Sequence, residues 1–133
     1  MRVLELMRSH VVTISPTASL AEAVDKLDLY QVSGLPVLDE NDRLIGVVTE
    51  HDVISWVLPG SREGKQDPAS VTVSEVMTAP AAHIDEYADV MDAVRLMLER
   101  RIKRLPVTSG GRLVGIISRI DVCQAILEGR LSS

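Results

Sequence analysis

Two short runs in this chain combine residue types that can hold a phosphorylated sugar. They are Gly46-Val-Val-Thr49-Glu-His-Asp52 and Gly115-Ile-Ile-Ser118-Arg-Ile-Asp121. In each, an apolar β-branched stretch gives way to a helical pattern at the hydroxyl residue. The first-turn N–H groups of a helix lack partners and carry partial positive charge, so phosphate is favoured there. The Thr or Ser hydroxyl can donate to a phosphate oxygen, and an Asp one turn on can accept from both ribose hydroxyls. The Gly three residues earlier has no Cβ, which would let a base or sugar approach the strand. The same spacing also reads as a capping box, which stabilises a helix by about 1 kcal/mol with no ligand at all. The two roles can coexist.

A second constellation is Lys103-Arg104, ahead of Leu105-Pro106. Two cations at the head of a strand can neutralise a phosphate. Their neighbourhood, Glu99-Arg-Arg-Ile-Lys-Arg104, reads equally as a solvated charge cluster. Other chemistry is poorly supported. His10, His51 and His83 have no metal-ligand spacing. Asp39-Glu-Asn-Asp42 fails as a calcium loop because Arg43 takes the fifth position. Cys123 follows Asp121-Val122 in an apolar helical run and is expected to be buried and inert. No nucleophile elbow, phosphate-binding Walker loop or His-Glu-x-x-His motif occurs, so no catalysis and no metal are expected.

The elements that must position these residues come twice. With an offset of 70, Met7 meets Met77, Ile14 meets Ile84, Ala23-Val24 meets Ala93-Val94, and Leu35-Pro-Val37 meets Leu105-Pro-Val107. After one residue drops out the offset is 69, and Arg43-Leu-Ile-Gly46 meets Arg112-Leu-Val-Gly115. The gap falls between Asp39-Glu-Asn-Asp42 and Ser109-Gly-Gly111, both turn compositions in which a length change costs little. Each copy predicts β-α-β-β-α. A short strand (Val11 to Ile14; Ala81 to Ile84) leads to a helix capped by Ser19 or Asp89. Two strands follow, Leu35 to Leu38 with Leu44 to Val48, and Leu105 to Val107 with Leu113 to Ile117. A last helix opens near Glu50 or Arg119. The division is thus a first repeat over 1–58, a linker over 59–70 (aperiodic from Pro59 to Ser70), and a second repeat over 71–133. A unit of this size with an open sheet face buries too little surface alone, so two are expected to pack sheet to sheet about a pseudo-two-fold axis, as an α/β (α+β) fold.

Composition limits the partners. The 133 residues carry 14 Lys and Arg against 19 Asp and Glu, a net charge of -5, which disfavours binding to a nucleic-acid backbone. Aromatic residues are 2% of the chain, too few for base-stacking platforms. No run approaches the roughly 18 apolar residues of a membrane span, and the first residues lack a secretory pattern. One cysteine excludes an internal disulfide, and a reducing, cytoplasmic location is expected.

The doubled Leu-Pro-Val strand, the Met that precedes each copy and the doubled Gly-x-x-[Ser/Thr]-x-x-Asp run resemble the cystathionine β-synthase (CBS) domain family in its tandem form, the Bateman module, from Leu4 to Leu127. The resemblance implies an adenosine-containing ligand (AMP, ADP, ATP or S-adenosylmethionine) in a cleft between the copies, with no obligatory cofactor. One site would use Lys103, Arg104, Ile117, Ser118 and Asp121 together with Thr13, Val32 and Ser33. The other would use Gly34, Val48, Thr49, His51 and Asp52 together with His83 and Ile102. Adenine would lie against Thr13-Ile14, His83-Ile84, Val32 and Ile102, read mainly by backbone groups; the same residues also suit a plain core. Because Ser33-Gly34 replaces Lys103-Arg104 in the first copy, that site would lean on Thr49, backbone groups and His51. The module is expected to stand alone and to regulate a separate protein; the alternative is a ligand-free dimerisation module. A homodimer is expected from apolar surface at Ser55 to Leu58, Ala125 to Leu127, and the stripe Leu20, Leu27, Val90 and Met97.

Overall fold

Why each copy builds a small sheet is visible at its shortest strand. The structure, a computed structural model, describes residues 1–58 and 67–131, so positions 59–66 of the expected linker lie outside the described residues. In the second copy β3 (Ile84–Asp85) runs parallel to β4 (Arg104–Ser109), and Glu86 N–H donates to the Thr108 carbonyl at 3.0 Å. The matching position in the first copy is Pro16, which has no N–H to give. The expected strand over 11–14 therefore shrinks to one parallel bridge, Ile14 to Val37.

The chain forms two units, Val12–Ala81 and Met1–Val11 with Ala82–Ser133. In the first of these, α1 (Leu20–Leu29) opens on Ser19, whose hydroxyl accepts from Glu22 N–H at 3.0 Å. Its inward face packs Leu20, Ala23 and Leu27. The strands β1 (Gly34–Leu38) and β2 (Leu44–Thr49) pair antiparallel with Leu35 opposite Val48. Asp39 closes the hairpin, its Oδ1 accepting from the N–H groups of Asn41 and Arg43. Then follow α2 (Glu50–Ser55) and the one-turn α3 (Val73–Val76). The core joins Ile14, Ala23, Leu27, Leu35, Val37, Val48 and Val73.

The other unit repeats the plan. Its sheet order is β3-β4-β5, with β5 at Arg112–Ser118, flanked by α4 (Val90–Arg100) and α5 (Arg119–Leu127). Asp89 caps α4 by accepting from Met91 N–H, and the β4–β5 turn uses Gly110 and Gly111 at positive φ. Val3, Ile84, Val90, Ala93, Met97, Leu105, Val107, Ile117 and Val122 form the core. The architecture is mixed α+β with two small sheets.

Each sheet is completed by a segment distant in sequence. Thr78 pairs antiparallel with Val47 on the outer side of β2, and Arg8 pairs with Ile116 on the outer side of β5. The glycines make room for this. A Cβ on Gly46 would sit 2.8 Å from Met77 Sδ and 2.9 Å from the Thr78 carbonyl oxygen. A Cβ on Gly115 would sit 2.7 Å from Met7 Sδ and 2.8 Å from the Arg8 carbonyl oxygen. The space read from the sequence as access for a base or sugar is therefore filled by a methionine and a neighbouring strand. That corrects the reading of both glycines.

Two further expectations are corrected here. Leu20, Leu27, Val90 and Met97 contribute no exposed stripe, because all four are buried in their units' cores. Cys123 is exposed, because α5 turns Val122 and Ala125 inward and leaves Ile120, Cys123, Ile126 and Leu127 outside.

Candidate functional site: two hydroxyl–carboxylate helix starts

Both runs place their hydroxyl at a helix N-cap. Thr49 is extended at φ -122° and its Oγ1 accepts from Asp52 N–H at 3.2 Å, while Asp52 Oδ2 accepts from Thr49 N–H at 2.9 Å. Ser118, also at φ -122°, accepts from Asp121 N–H at 3.2 Å, and Asp121 Oδ2 accepts from Ser118 N–H at 3.0 Å. Both capping boxes are therefore formed. The hydroxyls themselves donate to the same carboxylate oxygens, at 3.0 Å in the first unit and 2.8 Å in the second. A carboxylate accepting two or three bonds in this way is held in a fixed orientation.

The second oxygen of each carboxylate distinguishes the units. Asp52 Oδ1 accepts from the Thr78 hydroxyl at 2.9 Å. Asp121 Oδ1 accepts from Arg8 Nε at 2.9 Å, an ion pair between a mostly exposed guanidinium and a carboxylate that is 5% exposed. Arg8 and Thr78 follow the two methionines at the same offset, so a single position of the repeat supplies a cation in one unit and a neutral donor in the other. Sequence reasoning missed this residue. The signal available for it was the Met that precedes it in each copy.

The remaining predicted residues divide between the units as follows. In the unit over 12–81, Gly34 lies opposite Thr49, and the Ser33 carbonyl accepts from Glu50 N–H at 2.9 Å, which brings Ser33, Gly34 and Thr49 together. Val48 is fully buried in β2, and His51 is exposed on α2. The Thr13 carbonyl accepts from Lys26 Nζ at 2.7 Å. Val32 N–H is engaged by the Leu27 carbonyl at the end of α1.

In the other unit, Arg104 lies opposite Ser118, and the Lys103 carbonyl accepts from Arg119 N–H at 2.9 Å. Lys103, Arg104, Ser118 and Asp121 are therefore neighbours. Both cations are exposed, and among the described residues neither side chain forms an ion pair or hydrogen bond. Arg119 is different. Its guanidinium donates to the Ile102 carbonyl at 2.9 Å and the Met97 carbonyl at 3.0 Å, so it closes the end of α4. Ile102 thus has both backbone groups engaged, its N–H reaching the Met97 carbonyl. Ile117 is fully buried and His83 is exposed. Among the described residues no three His, Cys, Asp or Glu side chains gather as metal ligands, and no helix is long and apolar enough to cross a membrane.

Comparison with known proteins bears on this arrangement. Residues 3–59 and 73–128 match the CBS domain family. An uncharacterized protein of Methanopyrus kandleri is 32% identical over 90% of this chain and 60% of its own length. The inosine-5'-monophosphate dehydrogenase of Methanocaldococcus jannaschii is 33% identical over 89% of this chain and 22% of its own. The chain therefore spans less than two thirds of these curated relatives. Among solved structures, CBSX2 of Arabidopsis thaliana in complex with AMP superposes with a TM-score of 0.85 at 30% identity, covering 98% of each chain.

Proposed function

The chain belongs to the CBS domain family, and from that membership we propose that it is a regulatory module that binds an adenosine-containing ligand and conveys its occupancy to a separate protein. The observation that carries this reading is the end-to-end likeness to CBSX2, a protein solved with AMP. The site geometry supports it. Each unit offers a hydroxyl and a carboxylate at one helix start, which suits phosphate and ribose respectively. Asp52 and Asp121 are the ribose acceptors, and Thr49 and Ser118 are the phosphate donors once each hydroxyl turns from its carboxylate to the ligand. Lys103 and Arg104 add charge that suits a ligand with more than one phosphate. Val48, Ile117, Thr13, Val32, Ile102, His51 and His83 complete the proposed contacts.

A module of this kind transmits a signal only if the ligand favours one arrangement of the molecule over another. The regulated protein is a further gene product. The chain works as a homodimer in the cytoplasm. Exposed Val57, Leu58, Ile126 and Leu127 supply apolar surface for the dimer, and a single exposed thiol suits a reducing compartment.

Thermal unfolding with AMP, ADP, ATP and S-adenosylmethionine tests the ligand reading. A ligand at about one hundred times its Kd adds about 2.7 kcal/mol and raises Tm by about 5 °C or more. If none of the four ligands moved Tm at millimolar concentration, the ligand-free dimerisation module would stand instead.

A further inference from the structure

Asp121 is buried, yet the adenosine reading needs it to receive a ribose diol. A carboxylate has about four lone-pair positions, and three are already filled, by Ser118 N–H, the Ser118 hydroxyl and Arg8 Nε. The first two bonds belong to the helix cap and lie within four residues of chain. The third ties the carboxylate to a segment outside α5, and exchanging it leaves both bonds of the cap intact. Arg8 is also the partner best able to leave, since its side chain is 63% exposed and water can take over its donors. Its backbone stays in place, paired both ways with Ile116 at 2.8 Å.

We propose that Arg8 is a specificity-determining residue that gates Asp121: its guanidinium occupies the carboxylate oxygen that a ribose diol requires, so adenosine binds at this motif by exchange for the ion pair. This rests on the adenosine reading above. The exchange is a competition for one anion, to which the guanidinium brings a full positive charge and a hydroxyl only a dipole. The gate at Asp121 is therefore stiffer than the Thr78 hydroxyl at Asp52. Arg8 sets specificity by penalising only ligands whose sugar carries the hydroxyls, narrowing their advantage over a ligand with none, which leaves the ion pair in place.

The test is titration calorimetry of the full chain in an Asp52→Ala background, which confines ribose recognition to Asp121. Adenosine and 2′,3′-dideoxyadenosine are the probes. Arg8→Ala should bind adenosine about threefold or more tighter than the Arg8 chain, and Arg8→Gln, which keeps a neutral donor, should fall between the two. Affinity for the dideoxy compound should be the same in all three chains. Unchanged or weaker adenosine binding on removal of Arg8 would overturn the gate, as would an equal gain for the dideoxy compound, which a general loosening of the unit would produce. Adenosine binding to none of the chains would overturn the adenosine reading, and the gate with it.

Discussion

The two units carry the same backbone device and opposite electrostatics. Thr49–Asp52 and Ser118–Asp121 superimpose in chemistry down to the bond from hydroxyl to carboxylate. Around them, Thr78, Ser33 and Gly34 stand where the other unit has Arg8, Lys103 and Arg104. Glu50 likewise stands where the other unit has Arg119. The comparison teaches that the repeat preserves what the fold needs and varies what a ligand would feel. A cap, a buried Leu opposite a buried Val or Ile, and a Gly beneath a Met are common to both units. Charge is not. The variation is also uneven in consequence. Arg119 is committed to the carbonyls at the end of α4 and Arg8 is paired with Asp121, whereas Lys103 and Arg104 are exposed and, among the described residues, in no ion pair.

The sharpest way to break the comparison is at the part held in common. Gly46→Val and Gly115→Val each drive a side chain into a methionine sulfur and a backbone carbonyl, and each should cost about 3 kcal/mol, by the same amount in both units. Urea unfolding measures this; a large difference between the two would mean that the units are not built alike. A smaller and unequal effect is expected at the carboxylates. Asp121→Ala leaves a buried cap open and removes an ion pair, costing about 2–3 kcal/mol, whereas Asp52→Ala at a half-buried cap costs about 1 kcal/mol. Equal losses would deny the role of Arg8. Comparable with the loss at Asp52, and dependent on salt, is the Lys103→Ala/Arg104→Ala pair. ATP affinity at the basic unit should fall by about five- to tenfold at low salt and little at high salt, because exposed charges are screened. Calorimetry that finds no change at either salt would make these cations bystanders.

Much of this was legible in the chain. The offset of 70 is a plain self-similarity of the sequence, and the capping residues Ser19 and Asp89 and the hairpin tips rest on contacts a few residues apart, which local pattern records. The pairing of Thr78 with Val47 and of Arg8 with Ile116 was not, because partners 31 and 108 residues apart leave no periodicity to read. A trace existed, since a Gly inside a strand signals a close neighbour. The sequence cannot say whether that neighbour is a ligand or the chain's own methionine. Cys123 failed for a different reason. A helix whose apolar and polar residues are both spread round its circumference, as in α5, does not declare which face turns inward. The strand expected over 11–14 failed at Pro16, whose missing N–H is evident in the sequence but whose partner carbonyl is not.

If the carboxylates at the two helix starts accept the ribose of an adenosine ligand, AMP titration of the parent chain beside Asp52→Ala and Asp121→Ala will show it. The parent should bind AMP, and each variant should lose about tenfold or more in affinity at one site while still folded. AMP binding to both variants as tight as to the parent would contradict it.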